Sequence, residues 1–502
     1  MLFNTAMAGS RQIVLCFDGT GNSFTTDGTE TNILKICRML ERTDEQLCYY
    51  QPGIGTDITP GSLTSTTLQK RSKLSNSKAL NLALGKSFDR HVLGGYRFLM
   101  RHYREGTRIY IFGFSRGAYT ARFLNEMIDF VGLLGPDNEE VIPFIWDAFA
   151  SWKLGRTNNK QEAKRRAYTV LKSSREALSR PIPRVHFLGM FDAVNSVADF
   201  EVNIDEAPSA KTIRHAVSID ERRIKFRPVL LGIREEQPPP PLKAKKETPE
   251  PDSPDDDVET ASGPPILPEI PNVSNHNHNQ NIKLVDENMQ DIEEMWFPGG
   301  HADIGGGWRL EDGEAWPLSH APLVWMIGEA RNAGLRLDPW KMKHLECIPE
   351  CSEDEVSVDQ NEKGHEMPND MSGFQKDFVN AIQIGGMKGR IHDLLEYGWG
   401  HSITSVLSWR LMEYMPLRRM EVQPDGKWKA VRWPPPLGQS RDIPNDARIH
   451  VSAIQRMRCD ASYRPSNLTY GLAEGDSGIG KWAVQSHEGD PVRERYVRVD
   501  GL

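Results

Sequence analysis

The stretch "IYIFGFSRGAYTAR", Ile109 to Arg122, limits the possible folds more than any other part of the chain. An apolar run stops at Gly113, and Ser115 stands between Gly113 and Gly117. Beyond it, Ala121, Leu124, Ile128 and Val131 fall on one helical stripe. This order predicts a buried strand that turns sharply into an amphipathic helix. Small residues on both sides of the turn let strand and helix approach, and the residue between them is held in a strained backbone conformation. In that context the Gly-x-Ser-x-Gly spacing matches a nucleophile elbow, although a merely structural serine can share the pentapeptide.

The flanking sequence supplies a matching rhythm. "RQIVLCFDGTGNS" reads as a buried strand, Ile13 to Phe17, followed by a Gly/Asn loop, and "TNILKICRMLE" reads as a helix capped by Thr31 or Asn32. A helical "GGYRFLMRHYREG" precedes the strand "RIYIFGF". The strands "RVHFLGMF" and "FRPVLL" and the helical "AKRRAYTVLKSSREAL" continue the alternation. Strands alternating with helices predict an α/β fold, hydrolase-like, with a mostly parallel sheet covered on both faces. "IRHAVSIDERR" gathers His215, Asp220, Glu221, Arg222 and Arg223, as a salt-bridged helix end or, preferably, as a segment that supports a site.

Composition marks where the core stops. Residues 235–281 are rich in Pro, acid and small polar side chains, too poor in large apolar groups to offset their ordering entropy, so a disordered insertion is expected. Residues 346–370 read as a second, acidic loop, which leaves 11–345 as the catalytic domain and 371–502 as a C-terminal extension without an assigned role. A formal net charge of -8 gives no general electrostatic reason to bind nucleic acid or an anionic membrane, so any lipid contact is expected to be local and peripheral. Six cysteines are too sparse and irregular for a disulfide scaffold or a common zinc pattern. Cys347 and Cys351 have a poor ligand spacing, and "HNHN" (276–279) reads as a solvated tract, so neither metal nor cofactor is expected. The opening "MLFNTAMAGSRQ" lacks a basic region and a long apolar core, and no apolar run reaches the roughly 20 residues of a membrane span, so a soluble cytoplasmic protein is expected.

Serine needs a base, and in this architecture the order is Ser, then Asp or Glu, then His. Asp192 follows the apolar strand in "HFLGMFDAVNSV", and His301 lies in the glycine-rich "EEMWFPGGHADIGGG". Asp303 is the alternative acid. An oxyanion needs two preorganised N–H donors: the backbone of Arg116, and Gly19, Thr20 or Gly21 from the loop "DGTGN". The same loop is compatible with a phosphate cradle at a helix N-terminus.

Together, "CFDGTGNS", "GFSRGAYTAR", "GMFDAVNSV", "RHAVSIDERR" and "WFPGGHADIGGG" resemble the α/β-hydrolase domain of the type VI secretion phospholipase effectors, a family with relatives in fungi. The resemblance covers residues 11–345 without the insertion, and the tail "IHVSAIQRM…YRPSNL" resembles the fungal members. It implies an ester hydrolase acting on lipid acyl groups, with Ser115, Asp192 and His301 at the matching positions. Ala193 departs from the threonine expected after the acid. The resemblance implies neither secretion as a toxin nor a particular lipid. Two other readings compete. One is a phosphate- or nucleotide-binding enzyme built on "DGTGN", with "GFSRG" as a second phosphate loop, against which stands the missing "GxxxxGK[ST]". The other is a non-catalytic interaction protein that docks through its Pro-rich and acidic insertions.

Overall fold

The computed structural model describes residues 10–20, 22, 28–53, 77–154, 160–194, 208–231, 290–348, 371–397, 403–416, 419–422, 428–469 and 479–499. The expected insertion at 235–281 and most of the acidic stretch lie outside these residues, as do Gly21, Cys351 and the "HNHN" tract.

Nine strands form one sheet: β1 (Gln12–Phe17), β2 (Gln46–Gln51), β3 (Arg108–Phe114), β4 (Phe187–Phe191), β5 (Thr212–Ser218), β6 (Asp291–Phe297), β7 (Arg448–His450), β8 (Trp482–Ser486) and β9 (Arg495–Arg498). Their spatial order is β8-β9-β7-β6-β5-β4-β3-β1-β2. β2, β1, β3, β4, β5, β6 and β7 run parallel, and the β8–β9 hairpin closes one edge antiparallel. The fold is therefore of the α/β class with a mostly parallel sheet.

Alternation along each strand feeds two cores. Ile13, Leu15 and Phe17 of β1 pack on one face with helices α2 (Ser77–His102) and α3 (Arg116–Val131). Val14 and Cys16 pack on the other with α1 (Asn32–Met39) and a later helix, His320–Asn332. Burial on both faces explains why the central strands read as continuous apolar runs. The stripe Ala121, Leu124, Ile128 and Val131 is the face of α3 that enters the first core. Thr31 caps α1, its side chain accepting from the Leu34 N–H at 3.2 Å. Among the described residues, no helix is long and apolar enough to cross a membrane.

Two expectations need correction. "FRPVLL" is not a strand: it follows a 3₁₀ turn, Ile224–Phe226, and makes an isolated bridge between Pro228 and Val194. Pro228 has no N–H to give a ladder, and Leu231 donates its own to the Glu294 side chain, at 2.9 Å. The strand beside β4 is instead "TIRHAVS", so His215 lies within β5 and not at a helix end. The C-terminal extension also enters the sheet, with β7 pairing in parallel with β6.

The chain passes from β1 outward to β2 and then back to β3 on the other side of β1. That reversal makes a switch point, and the crevice beyond the strand ends there is where α/β sheets present functional groups. The loop after β1 and the turn after β3 meet at it. A methyl on Gly117 would lie 2.2 Å from the Phe17 carbonyl oxygen and 2.6 Å from that of Asp18, and one on Gly113 would lie 2.5 Å from the Ala118 Cα. Both contacts are to backbone, which cannot swing aside. Gly117→Ala should therefore lower stability by about 3 kcal/mol or more, seen as a fall in melting temperature; an unchanged melting temperature would contradict this packing.

Candidate active site

Ser115 forms the turn between β3 and α3 with φ 60° and ψ -126°, a conformation that side-chain-bearing residues rarely adopt. The surrounding sheet holds it there. Its N–H donates to the Phe191 carbonyl at the end of β4, at 3.0 Å, and its carbonyl accepts from Ala118 N–H at 3.1 Å. The side chain is nearly covered, with 3% of the residue exposed.

His301 arrives from the far end of β6 through Gly299, whose φ of +113° makes a turn that favours glycine. It is the first residue of the short helix α4 (His301–Gly305). Its Nε2 stands 2.8 Å from Ser115 Oγ, and its Nδ1 stands 2.5 Å from Asp192 Oδ2. Because the Asp192 carboxylate accepts, the Nδ1 proton points toward it and Nε2 is left to accept from the serine hydroxyl. Phe114 and Phe226 flank the ring, with centroids at 4.9 and 4.7 Å. Glu221 accepts the His301 backbone N–H at 3.2 Å.

Asp192 directly follows β4, also at positive φ, 40°. Its carboxylate is fully buried and accepts four hydrogen bonds. Oδ1 takes the Ser218 N–H at 3.0 Å and an Arg441 N–H at 2.6 Å; Oδ2 takes His301 Nδ1–H and a second Arg441 N–H at 2.8 Å. Burial alone would push its pKa up, but the Arg441 charge and the bonds from His301 and Arg441 more than offset this and hold it well below the usual carboxylate range. Nearby, burial works against Glu221 as well, yet the Arg223 guanidinium pulls it down to about 2. Asp192, Glu221, Arg223 and Arg441 are all buried, and their formal charges sum to zero.

Asp303 is occupied elsewhere. Its Oδ1 pairs with His392 Nδ1 at 2.7 Å, and its Oδ2 accepts the N–H groups of Gly300 and His392 at 2.8 and 2.9 Å. It shapes the loop that carries His301, while the carboxylate on His301 Nδ1 is that of Asp192.

The oxyanion candidates divide. Gly19 N–H is already engaged by Asp18 Oδ1, at 2.7 Å, and Asp18 in turn is held by Thr31 and Tyr50 hydroxyls at 2.9 and 2.7 Å. The backbone N–H groups of Thr20 and Arg116 make no hydrogen bond to another residue among those described, and the Arg116 side chain donates to Thr20 Oγ1. A carboxylate seated on the Gly19 amide of "DGTGN" also repels a phosphate there.

One described group has metal-ligating character: Cys16, Cys37 and Cys48, whose sulfurs lie within 4.8 Å of one another. Burial pushes the Cys16 thiol well above its usual range, while hydrogen bonds with the Cys16 and Cys37 thiols bring Cys48 down to about 4.

Several neighbours of the candidate site have no sequence signature. Arg441 sits in "GQSRDIP", an unpatterned Pro-rich run, and His392 follows a helix with no motif around it. Glu221 and Arg223 belong to "IDERR", where the charge cluster gave the one available signal.

The T6SS phospholipase effector Tle1-like catalytic domain family matches residues 11–329. The Saccharomyces cerevisiae protein YEL023C, described as uncharacterized, is 27% identical over 562 residues, covering 92% of this chain and 81% of its own length. Two solved structures are more distant. An uncharacterized protein from Pseudomonas aeruginosa is 18% identical with a TM-score of 0.33; the match covers 76% of this chain, and this chain spans 55% of that one. The Tle1 effector bound to the VgrG spike of the type 6 secretion system is 13% identical with a TM-score of 0.32, covering 86% of this chain and 92% of that one.

Burial lowers the His301 pKa; the hydrogen bond and charge of Asp192 and the charge of Glu221 oppose the shift, and Arg223 adds to it. The net direction is down, so the ring stays neutral to a lower pH than a free histidine. In a histidine-selective NMR titration, with the His301 signal assigned through His301→Asn, its midpoint should fall below about 6.5. A midpoint at or above that value would show that the charges outweigh burial.

Proposed function

The chain belongs to the family of T6SS phospholipase effector Tle1-like catalytic domains, and from that premise we propose that it is a serine hydrolase of the α/β-hydrolase type. Its substrates are carboxylic esters, those of (phospho)lipid acyl chains, and it works through an acyl-enzyme. The observation that carries the reading is the hydrogen-bonded line from Ser115 Oγ through His301 to Asp192, at 2.8 and 2.5 Å, built on a serine of positive φ.

Each residue then has a role. His301 Nε2 takes the Ser115 proton as Oγ attacks the ester carbonyl, and Asp192 fixes the tautomer and stabilises the imidazolium that forms. The N–H groups of Arg116 and Thr20 receive the developing oxyanion. Collapse of the tetrahedral intermediate expels the alcohol, which takes the proton back from His301. Water repeats the sequence on the acyl-enzyme, releases the fatty acid and restores Ser115. The acid is assigned to Asp192 and not Asp303 because it is the Asp192 carboxylate that meets His301.

A fluorophosphonate probe should label the wild-type chain at Ser115, and Ser115→Ala should abolish labelling and reduce hydrolysis of acyl esters by roughly a thousand- to a million-fold. Equal labelling of the two proteins would sink the reading. Asp192→Asn should slow labelling by roughly 10⁴, a far larger effect than that of Asp303→Asn; the reverse ranking would transfer the acid's role to Asp303.

A further inference from the structure

We propose that Arg441 is a positioning residue of this site. Its guanidinium fork holds both oxygens of Asp192, keeps the carboxylate aimed at His301, and sets the pH at which His301 becomes a base. The kinetic part of the proposal rests on the hydrolase reading; the electrostatic part does not.

Three observations carry it. First, the contact is bidentate, 2.6 Å to Oδ1 and 2.8 Å to Oδ2, the geometry in which arginine fixes a carboxylate in plane as well as in place. Second, both partners are buried, Arg441 at 1% and Asp192 at 0% exposure, so neither charge can turn to water instead. Third, the arginine is itself anchored. The second N–H of each terminal nitrogen reaches the Ser218 and Phe226 carbonyls, and its own carbonyl accepts from Asn467, which also bonds Ile219 O. Arg227 holds the preceding residue through the Ser440 carbonyl at 3.0 Å. A flexible surface arginine would have none of these restraints. Arg441 also lies beyond the 11–329 segment that the family match covers, so the segment carrying the elbow, Asp192 and His301 does not contain this partner.

The electrostatic consequence follows from the groups around His301. Asp192 faces its Nδ1, and Glu221 takes its backbone N–H. Arg223 pairs with Glu221 at 2.7 Å, and Arg441 pairs with Asp192. Asp303, on the same helix, is turned to His392, and Asp220 to Gly299 N–H and Tyr463. The two anions that bear directly on His301, Asp192 and Glu221, are thus each balanced by a buried arginine, and burial is left to keep the ring neutral. Removing Arg441 strands the Asp192 charge beside His301. The imidazolium is then favoured, the His301 pKa rises, and less of the neutral base remains near pH 7.

The test uses the full chain as wild type, Arg441→Met and Arg441→Lys. Two readouts are followed, the His301 NMR midpoint and the pH dependence of fluorophosphonate labelling. Arg441→Met should raise the midpoint by about one unit or more and slow labelling at pH 7 by at least about tenfold. Arg441→Lys should return the midpoint toward wild type but recover only part of the rate, since an ammonium cannot hold both oxygens. A change in melting temperature alone would not move the midpoint, so a folded Arg441→Met with a wild-type midpoint and rate overturns the proposal. If Arg441→Met does not fold, Arg441→Lys decides: slowed labelling supports the proposal and a wild-type rate overturns it. A wild type that takes no probe, together with a raised midpoint in Arg441→Met, overturns the hydrolase reading and leaves the role of Arg441 standing.

Discussion

A completely buried carboxylate has to be matched by donors and by charge, and Asp192 imposes that requirement on much of the structure. Without partners it would protonate or unfold its surroundings, because an isolated ion in a low-dielectric interior is too costly to keep. The match is four hydrogen bonds from three directions: the Ser218 backbone at the end of β5, His301 after β6, and two N–H groups of Arg441 from the C-terminal part of the chain. These segments are distant in sequence, and the carboxylate draws them to one point. The Glu221–Arg223 pair beside it repeats the arrangement, so the region holds two buried anions without net charge.

That requirement explains why the C-terminal residues are built into the fold. β7 pairs with β6 through Arg448–Met295 and Ile449–Trp296, covering what would otherwise be the open edge of a parallel sheet. The segment just before β7 delivers Arg441. His392, from the same half of the chain, meets Asp303 and steadies the loop that carries His301. Sheet closure and support of the candidate site therefore come from the same stretch of sequence.

Legibility followed the range of the forces. The turn at Ser115, the α3 stripe and the Thr31 cap are set by residues a few positions apart, so composition and spacing reveal them. Ser115, Asp192 and His301 stood out as candidates because each follows an apolar run, with glycines around Ser115 and His301. β5 was harder: "TIRHAVS" carries an arginine and a histidine that look solvated. In the structure both are paired, Arg214 with Glu329 at 2.7 Å and His215 with Glu294 at 2.8 Å, and those partners lie 115 and 79 residues away. Arg441 was out of reach for the same reason, since nothing in "GQSRDIP" says that a carboxylate nearly 250 residues earlier needs it.

Ala193, where the resemblance led to an expected threonine, has a physical answer in this network. A threonine hydroxyl after the acid could bond locally, but here the restraint on that residue comes from the backbone. Ala193 N–H donates to His215 Nε2 at 3.1 Å, and Glu294 fixes the other side of that ring while also accepting from Leu231 N–H. The Ala193 carbonyl accepts from Val229 N–H at 2.8 Å. A residue held at both its N–H and its carbonyl needs no side-chain hydroxyl to keep Asp192 in its positive-φ conformation. The His215–Glu294 pair inside the sheet supplies a restraint that a hydroxyl at 193 could give only from the side chain, and alanine there costs the carboxylate none of its partners.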